Sequence, residues 1–427
     1  MKIIADLHIH SKYSRATSPL TDLENLDKWA KIKGINILGT GDFTHPLWVK
    51  ELKEKLEPAE QGLFKLRKLK FSTRFVLTAE ISCIYSKEIV GKPKKTRKIH
   101  IIVLAPSFHT IDKINEKLGA IGNLKSDGRP ILGIDAKELA KIILDIDKNC
   151  LIVPAHIWTP WFSVFGSKSG FDTLEECFED YTKYIYAAET GLSSNPSMNW
   201  RLSMLDNIAL ISNSDCHSPQ KIGREANVFD TDMSYGAVIE AIKQKNKKKF
   251  LYTIEFFPEE GKYHCDGHRL CNVSFKPADS KKNNNICPVC KKPLTIGVLN
   301  RVEELADRPE GFIPENAVPF KSLIPLEEVI ASSIGTTAAS KKVPVIYNGL
   351  INNLDNEFNV LLEADIEDIK KASSQNIADG ILKVRNGDVK ISPGYDGVYG
   401  KIKFFEDLPN NKPNNNKNKR FLQKPLL

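Results

Sequence analysis

Residues 6–10 read Asp-Leu-His-Ile-His, and no other stretch restricts the fold so strongly. Side chains alternate across a strand with a period of two, so histidines two apart in an apolar run share one face. One face with two imidazoles can grip one metal ion. Residues 212–217, Ser-Asn-Ser-Asp-Cys-His, repeat the spacing with a carboxylate and an imidazole after the β-like run 208–211. Asp42 and His45 follow the run 35–38, Glu80 follows 75–77, His100 precedes 101–104, and His156 follows 151–153. The pattern predicts one site assembled from several strand ends.

From residue 2 to about 252, short β-branched runs alternate with amphipathic helical stretches at 23–33, 136–147, 174–184 and 235–245. Strand and helix in alternation predict an α/β fold with a parallel sheet or barrel. An α/β barrel builds its site from loops at the C-terminal ends of its strands, where all the candidate ligands except His100 are expected. Beyond residue 255 the texture changes. The expected organisation is a metal-binding barrel over 1–255, a zinc-binding segment and linker helix over 256–310, a mostly helical module over 311–407, and a disordered Asn/Lys-rich tail over 408–427. Within the module, 373–383 reads as a helix, 384–389 as a hairpin-like turn, and 393–401 as a glycine-rich aromatic loop.

The chain has 427 residues, 41% of them hydrophobic, enough for a large core with appended modules. A formal charge of +8 suits a polyanionic partner but does not require one. The N-terminus lacks a signal-peptide pattern, no run is long enough to span a bilayer, and eight cysteines over this length do not make a disulfide scaffold. A reducing cytoplasm is the expected compartment.

Cys287-Pro288-Val289-Cys290 has the spacing of a zinc knuckle, and His268-Arg269-Leu270-Cys271 supplies a second pair with fifteen residues between the two. His268, Cys271, Cys287 and Cys290 are the expected ligands of one structural zinc, with Cys265 or His264 as an alternative to His268. A redox CxxC would leave the first pair without a role.

Taken singly, each histidine reads as a hydrogen-bonded core or surface residue. Together, His8, His10, His45, His100, His156 and His217 are six of the nine in the chain. With Asp42, Glu80 and Asp215 they supply nitrogen and oxygen donors for two or three divalent ions, for which Zn, Mn, Fe and Mg all qualify. Such a centre suits phosphoester hydrolysis, because metal ions activate water and neutralise phosphate charge.

Asp-Leu-His-Ile-His-Ser, Gly41-Asp42-Phe43, Thr78-Ala79-Glu80, His100, Pro154-Ala155-His156 and Asp215-Cys216-His217, in this order, resemble the polymerase and histidinol phosphatase (PHP) family. The resemblance implies a distorted (β/α)7 barrel with a trinuclear metal site over residues 1 to about 250. Phe43 after Asp42, where that family has histidine, and Arg15 depart from its pattern. The segment 267–290, the helix at 301–308 and Gly394-Tyr395-Asp396-Gly397 extend the likeness to the archaeal endonuclease Q family across nearly the whole chain.

That resemblance implies a DNA repair endonuclease that nicks 5′ of deaminated bases (uracil, hypoxanthine, xanthine) and abasic sites, leaving a 3′-hydroxyl and a 5′-phosphate. Its partner is DNA carrying such nucleotides, with a replication clamp as a further candidate, no membrane, and a monomeric state. Asp215, His10 and Arg15 are the candidate catalytic residues. Lys12, Lys94, Lys95 and Arg97 can neutralise backbone phosphates, and Phe43, Trp158, Trp161, Phe165 and Tyr395 are candidates for base or DNA contact. Two rivals are a small-molecule phosphatase on the same barrel and a non-catalytic DNA-binding tether.

Overall fold

The computed structural model describes residues 1–67, 69, 73–89 and 91–403. The Asn/Lys-rich tail at 408–427 lies outside the described residues. Strand β1 (Lys2–Asp6) pairs parallel with β2 (Ile37–Gly39), which pairs parallel with β3 (Arg74–Ile89). The chain then returns antiparallel as β4 (Lys92–Ala105), which also carries β5 (Leu151–Pro154). Strands β6 (Ala187–Glu189) and β7 (Ala209–Ile211) make a separate parallel ladder. On the other side of β1 lie β8 (Ala226–Asp230), β9 (Phe250–Glu255) and β10 (Phe320–Ser322).

The α/β class holds, but no closed barrel is found: the described strands form an 11-stranded sheet and three two-stranded ladders, of which β6–β7 is one. The physical reason lies at the seams. Between β5 and β6 the backbone joins through Ile157 N–H to Glu189 C=O at 3.1 Å, and after β1 a single bridge joins Ile9 to Cys216. Polar side chains take the remaining backbone groups that a ladder would pair. The Leu7 N–H donates to Asn213 Oδ1 at 2.8 Å, the Ser214 N–H to Asp6 Oδ1 at 3.1 Å, and the Ser212 N–H to Asn227 Oδ1 at 3.0 Å.

Helices cover the sheet, and their ends follow from local sequence. Asp22 caps Leu23–Lys33 by accepting from the Asn25 N–H, and Gly34 closes it with φ 88°, a conformation that glycine adopts without penalty. Pro46–Lys55 begins on a proline at its first position, and Ala136–Ile146 is capped by Asp135. Residues 174–184 form an α-helix over Leu174–Phe178 and a 3-10 helix over Glu179–Tyr184 in place of one continuous helix.

One expectation about β3 and β4 is corrected. Glu80 and His100 lie inside long paired strands, with Glu80 opposite Ile102 and His100 opposite Ser82, not at strand ends. Lys94, Lys95 and Arg97, expected to neutralise phosphates, lie at the start of β4, which pairs with the outer part of β3.

The C-terminal module is helical as expected, with Leu326–Ser333, Lys342–Leu354, Ile366–Ala372 and Gln375–Arg385. The last helix runs through 384–385, so the hairpin-like turn there is displaced to Gly387, and a hairpin forms between Lys390–Ser392 and Lys401–Lys403. A buried carboxylate joins module to sheet layer: Glu357 meets Lys33 Nζ at 2.5 Å, Tyr347 Oη at 2.5 Å and the Leu326 N–H at 3.1 Å. Arg301, on the linker helix Val298–Leu305, donates to the carbonyls of Phe165 and Phe171 at 3.0 Å each and pairs with Asp172 at 2.6 Å. No described helix is long and apolar enough to cross a membrane.

Candidate active site

The site forms where β1 ends. Asp6 is fully buried and accepts from the backbone N–H groups of Ser214 and Gly223, which fastens the strand end to the 212–217 segment. His8 and His10 follow on that extension, two apart and on one side, as their spacing requires.

Glu80 occupies the centre. Its Oε2 lies 3.2 Å from His10 Nε2 and 3.6 Å from His8 Nε2, and Asp215 Oδ1 stands 3.0 Å and 3.7 Å from the same two nitrogens. Its Oε1 lies 2.6 Å from His100 Nδ1 and 3.1 Å from His156 Nε2. Two groups of ligand atoms result, His8–His10–Glu80–Asp215 and Glu80–His100–His156, each within 4.8 Å internally and sharing one carboxylate.

These donors fit divalent ions. His8 and His10 direct their Nδ1 atoms outward, to Glu189 at 3.0 Å and Asp42 at 3.1 Å, so both Nε2 atoms face the cluster. His8 Nε2, His10 Nε2 and Asp215 Oδ1 are buried without a hydrogen-bond partner, a costly arrangement unless a cation takes up their lone pairs.

The buried acids and imidazoles perturb one another strongly, and the surrounding carboxylates raise His8 and His10 against burial. Burial raises the Glu80 carboxyl, but His100, His8 and His10 more than offset it and hold it well below the usual range. Asp215 is likewise lowered against burial by His8 and His10. His100 is pushed down to about 4, chiefly by burial.

Local strain concentrates here. Asp42, His156 and Asp215 all have positive φ, at 52°, 28° and 46°, a region side chains other than glycine seldom adopt. Gly191 permits the bend at His156: a Cβ there would lie 2.5 Å from the His156 Cβ.

The other expected ligands stand around the two groups. Asp42 accepts from the Ser11 N–H and Oγ at 2.7 Å each and faces His10 Nδ1, so it orients a ligand. His217 lies with its ring 4.6 Å from that of His10 and its Nδ1 on the Asp215 carbonyl. His45 is corrected: its Nε2 faces the Lys125 carbonyl at 3.3 Å, its ring stacks on Tyr13, and it belongs to neither group.

The residues expected to contact DNA lie in different settings. Phe43, Trp158 and Phe165 are fully buried core residues, and Trp158 donates to Asn199 Oδ1 at 2.7 Å. Arg97 is buried, donates to the Gly170 carbonyl and lies on the Phe171 ring. Lys12 is tied to Glu51 at 3.0 Å, and Tyr395 packs on Gly267 and hydrogen-bonds Asn272. Trp161 is 48% exposed, and Lys94 and Lys95 are exposed on β4. Arg15 is exposed and pairs with Asp127 at 3.3 Å.

Sequence reasoning missed Glu189, Arg129 and Phe162. Glu189 ends a short apolar run, the same signal that marks the other acids. Phe162 lies against the His100 ring at 4.6 Å, within the aromatic stretch but at a position not singled out. Arg129 carries no sequence signal, because it sits in a loop without periodicity.

Away from this centre, His268, Cys271, Cys287 and Cys290 gather into a four-donor group beside the ladder of Asp266–His268 with Val273–Phe275. The Cys290 sulfur lies 3.7 Å from His268 Nδ1. Cys265 and His264 are buried apart from it, Cys265 with its N–H on the Gly394 carbonyl. The Gly394–Gly397 loop fastens the segment, as Asp396 accepts from the Arg269 N–H at 2.7 Å and from Thr295 Oγ1 at 2.6 Å.

The whole chain can be set beside known structures. The crystal structure of the lesion-specific endonuclease PfuEndoQ from Pyrococcus furiosus superposes with a TM-score of 0.84 at 31% identity, covering 97% of this chain and 98% of that one. The chain belongs to the endonuclease Q family. A second endonuclease Q structure, in complex with a 27-mer duplex substrate with an abasic lesion at the active site, superposes with a TM-score of 0.82 at 32% identity, covering 97% and 99%. Among sequence relatives of this endonuclease Q family member, Bacillus subtilis YqxK is 30% identical over 420 residues, 94% of this chain and 99% of that protein. MJ0043 of Methanocaldococcus jannaschii is 36% identical over 256 residues, 58% of this chain, and the match spans 31% of that protein's length. Both relatives are uncharacterized proteins. Residues 325–388 match the model of the MJ0043 C-terminal domain, which places that domain on the helical module.

Proposed function

We propose that this chain is a metal-dependent DNA repair endonuclease that hydrolyses the phosphodiester 5′ of deaminated bases (uracil, hypoxanthine, xanthine) and abasic sites, leaving a 3′-hydroxyl and a 5′-phosphate. The observation that carries this reading is the Glu80 carboxylate shared by two converging donor groups, in a chain whose whole length follows endonuclease Q.

His8, His10, Glu80 and Asp215 would hold one divalent ion and Glu80, His100 and His156 another, with Asp42 and His217 as supports. Zn, Mn, Fe and Mg all suit such a donor set. Bound ions supply an activated water and neutralise charge on the phosphodiester. The protein's own contribution is positional. Glu189 and Asp42 fix the two N-terminal histidines, buried aromatics keep the floor of the site rigid, and Trp161 stands exposed nearby in sequence as a stacking surface for an extruded base. His268, Cys271, Cys287 and Cys290 would bind one structural zinc. The domain reading is a catalytic unit over 1–255, a zinc-binding segment over 256–310 and a helical DNA-binding module over 311–407, working as a monomer in the cytoplasm, with a replication clamp as a further partner.

End-labelled duplexes carrying one uracil, one hypoxanthine, one abasic site or no lesion test the reading, with Mg or Mn and with chelator. The expected result is a nick just 5′ of the lesion, lost with chelator and in Asp215→Asn, while that variant still binds DNA. Turnover of small phosphomonoesters with uncut DNA would replace the reading with a phosphatase, and binding without any hydrolysis would replace it with a tether.

A further inference from the structure

One cation stands inside the metal-ligand cluster. Arg129 Nη1 lies 3.1 Å from Glu80 Oε2, the oxygen that also faces His8 and His10. The guanidinium has no other hydrogen bond among the described residues, its side chain is 27% exposed, and the Asp215 and Asp127 carboxylates lie close enough to act on its charge. The guanidinium is therefore anchored at the centre of the site through Nη1, with donors left free for a further partner.

The loop that carries it is held residue by residue. Asp127 is buried and accepts from the Arg129 N–H and the Arg15 N–H at 3.2 Å each through Oδ1, while its Oδ2 lies 3.3 Å from Arg15 Nε. The Gly128 N–H donates to the Tyr13 carbonyl at 2.9 Å, its carbonyl accepts from Thr44 Oγ1 at 3.0 Å, and a Cβ at that position would collide with the carboxylate of Asp42 and the hydroxyl of Ser14. The Pro130 carbonyl accepts from the Ser82 N–H at 3.0 Å. These bonds hold the backbone of Gly128, Arg129 and Pro130 in place. They deliver one guanidinium in a fixed pose beside the reacting centre, which is how charge stabilisation is preorganised.

We propose that Arg129 is a catalytic residue that binds the scissile phosphate through the free edge of its guanidinium, and that Asp127 is a positioning residue holding Arg129 and Arg15 as a pair at the mouth of the site. This rests on the phosphodiesterase reading above. It moves the main charge-stabilising role from Arg15, whose side chain is 75% exposed, to a residue in contact with Glu80. A planar fork suits a non-bridging pair of phosphate oxygens better than an ammonium does, so lysine is a poor replacement.

The test uses the full-length chain as parent, Arg129→Ala, Arg129→Lys and Asp127→Asn, with three readouts: single-turnover nicking of an abasic duplex at saturating enzyme, metal content, and affinity for that duplex across a salt series in chelator. Arg129→Ala is expected to lose about 10²–10³ in rate with unchanged metal content. Its plot of log affinity against log salt should be shallower by about one unit, the mark of a lost phosphate contact. Arg129→Lys should restore the salt slope but little of the rate, and Asp127→Asn should fall between parent and Arg129→Ala. A parental salt slope with a rate within a few-fold of the parent in Arg129→Ala overturns the proposal, as does loss of bound metal in that variant, which would make Arg129 only a counter-ion to Glu80. Failure of the parent itself to nick would remove the functional reading, and the salt slope in chelator would still decide whether Arg129 meets phosphate.

Discussion

His8 and Glu189 meet in the closed interior, with Nδ1 3.0 Å and 3.2 Å from the two carboxylate oxygens. Glu189 also accepts from the His156 backbone N–H at 2.8 Å and from Asn213 Nδ2 at 2.9 Å. One carboxylate thus orients a ligand from the first of the two groups and fixes the backbone of a ligand from the second. Replacing it with glutamine keeps the size but removes the charge that makes the imidazole a strong donor. Glu189→Gln is expected to weaken divalent-metal affinity by about 10–100-fold, measured by competition with a chromogenic chelator, and Glu189→Ala by more.

Behind Glu189 lie two further buried acids. Glu255 is pushed up to about 7, first by burial, with the neighbouring carboxylates adding to it, and Glu225 is raised by burial and by Glu255. A raised folded-state value means the native protein holds the proton more tightly than the unfolded chain. Stability from this group is full below about pH 4.5 and is lost as pH climbs towards 7. Thermal unfolding of the parent and Glu255→Gln across pH 4.5–8 should show the variant gaining relative to the parent as pH rises through that window. A constant difference between the two would show that Glu255 titrates normally.

The four-donor group of His268, Cys271, Cys287 and Cys290, proposed to bind zinc, makes a separable prediction. Cys290→Ser should release one equivalent of zinc and loosen residues around 265–297, seen as faster hydrogen exchange there. Cys265→Ser should retain that zinc, because Cys265 is buried against the Gly394 loop and outside the four-donor group.

Neighbouring aromatics should behave oppositely. Trp158→Ala removes a fully buried ring and its hydrogen bond to Asn199, at a cost of about 3–5 kcal/mol in denaturant unfolding. Trp161→Ala, at an exposed ring, should stay within about 0.5 kcal/mol of the parent while weakening binding to lesion-containing duplex. Equal destabilisation of both variants would refute the division of this stretch into core and surface.

Much of the centre could be read before any coordinates. Residues 6–10, Glu80, His156 and 215–217 stand out because polar donors interrupt apolar runs, and such interruptions are tolerated only where something pairs the donors. The four zinc-type ligands are legible from spacing alone. What stayed hidden depended on direction rather than residue type. Phe43, Trp158 and Phe165 look identical to Trp161 in sequence, since an aromatic beside a ligand can point inward or outward. His45 has the ligand chemistry but begins a helix on the far side of Asp42, where it stacks on Tyr13. The outer part of the β3–β4 pairing escaped notice because it is rich in lysine, and strand pairing outside a core leaves no hydrophobic alternation to read.

Strands β9 and β10 are parallel neighbours, with Thr253 beside Phe320 and Glu255 beside Ser322. Everything between them, the Cys/His segment and the linker helix included, is consequently an excursion that leaves the sheet and comes back to the adjacent lane. Its two ends are tied to neighbouring strands, and Arg301 fastens its linker helix to the carbonyls of Phe165 and Phe171. A protease cut anywhere in that excursion would sever the chain without separating the pieces, and the two fragments should elute together until the sheet itself is melted.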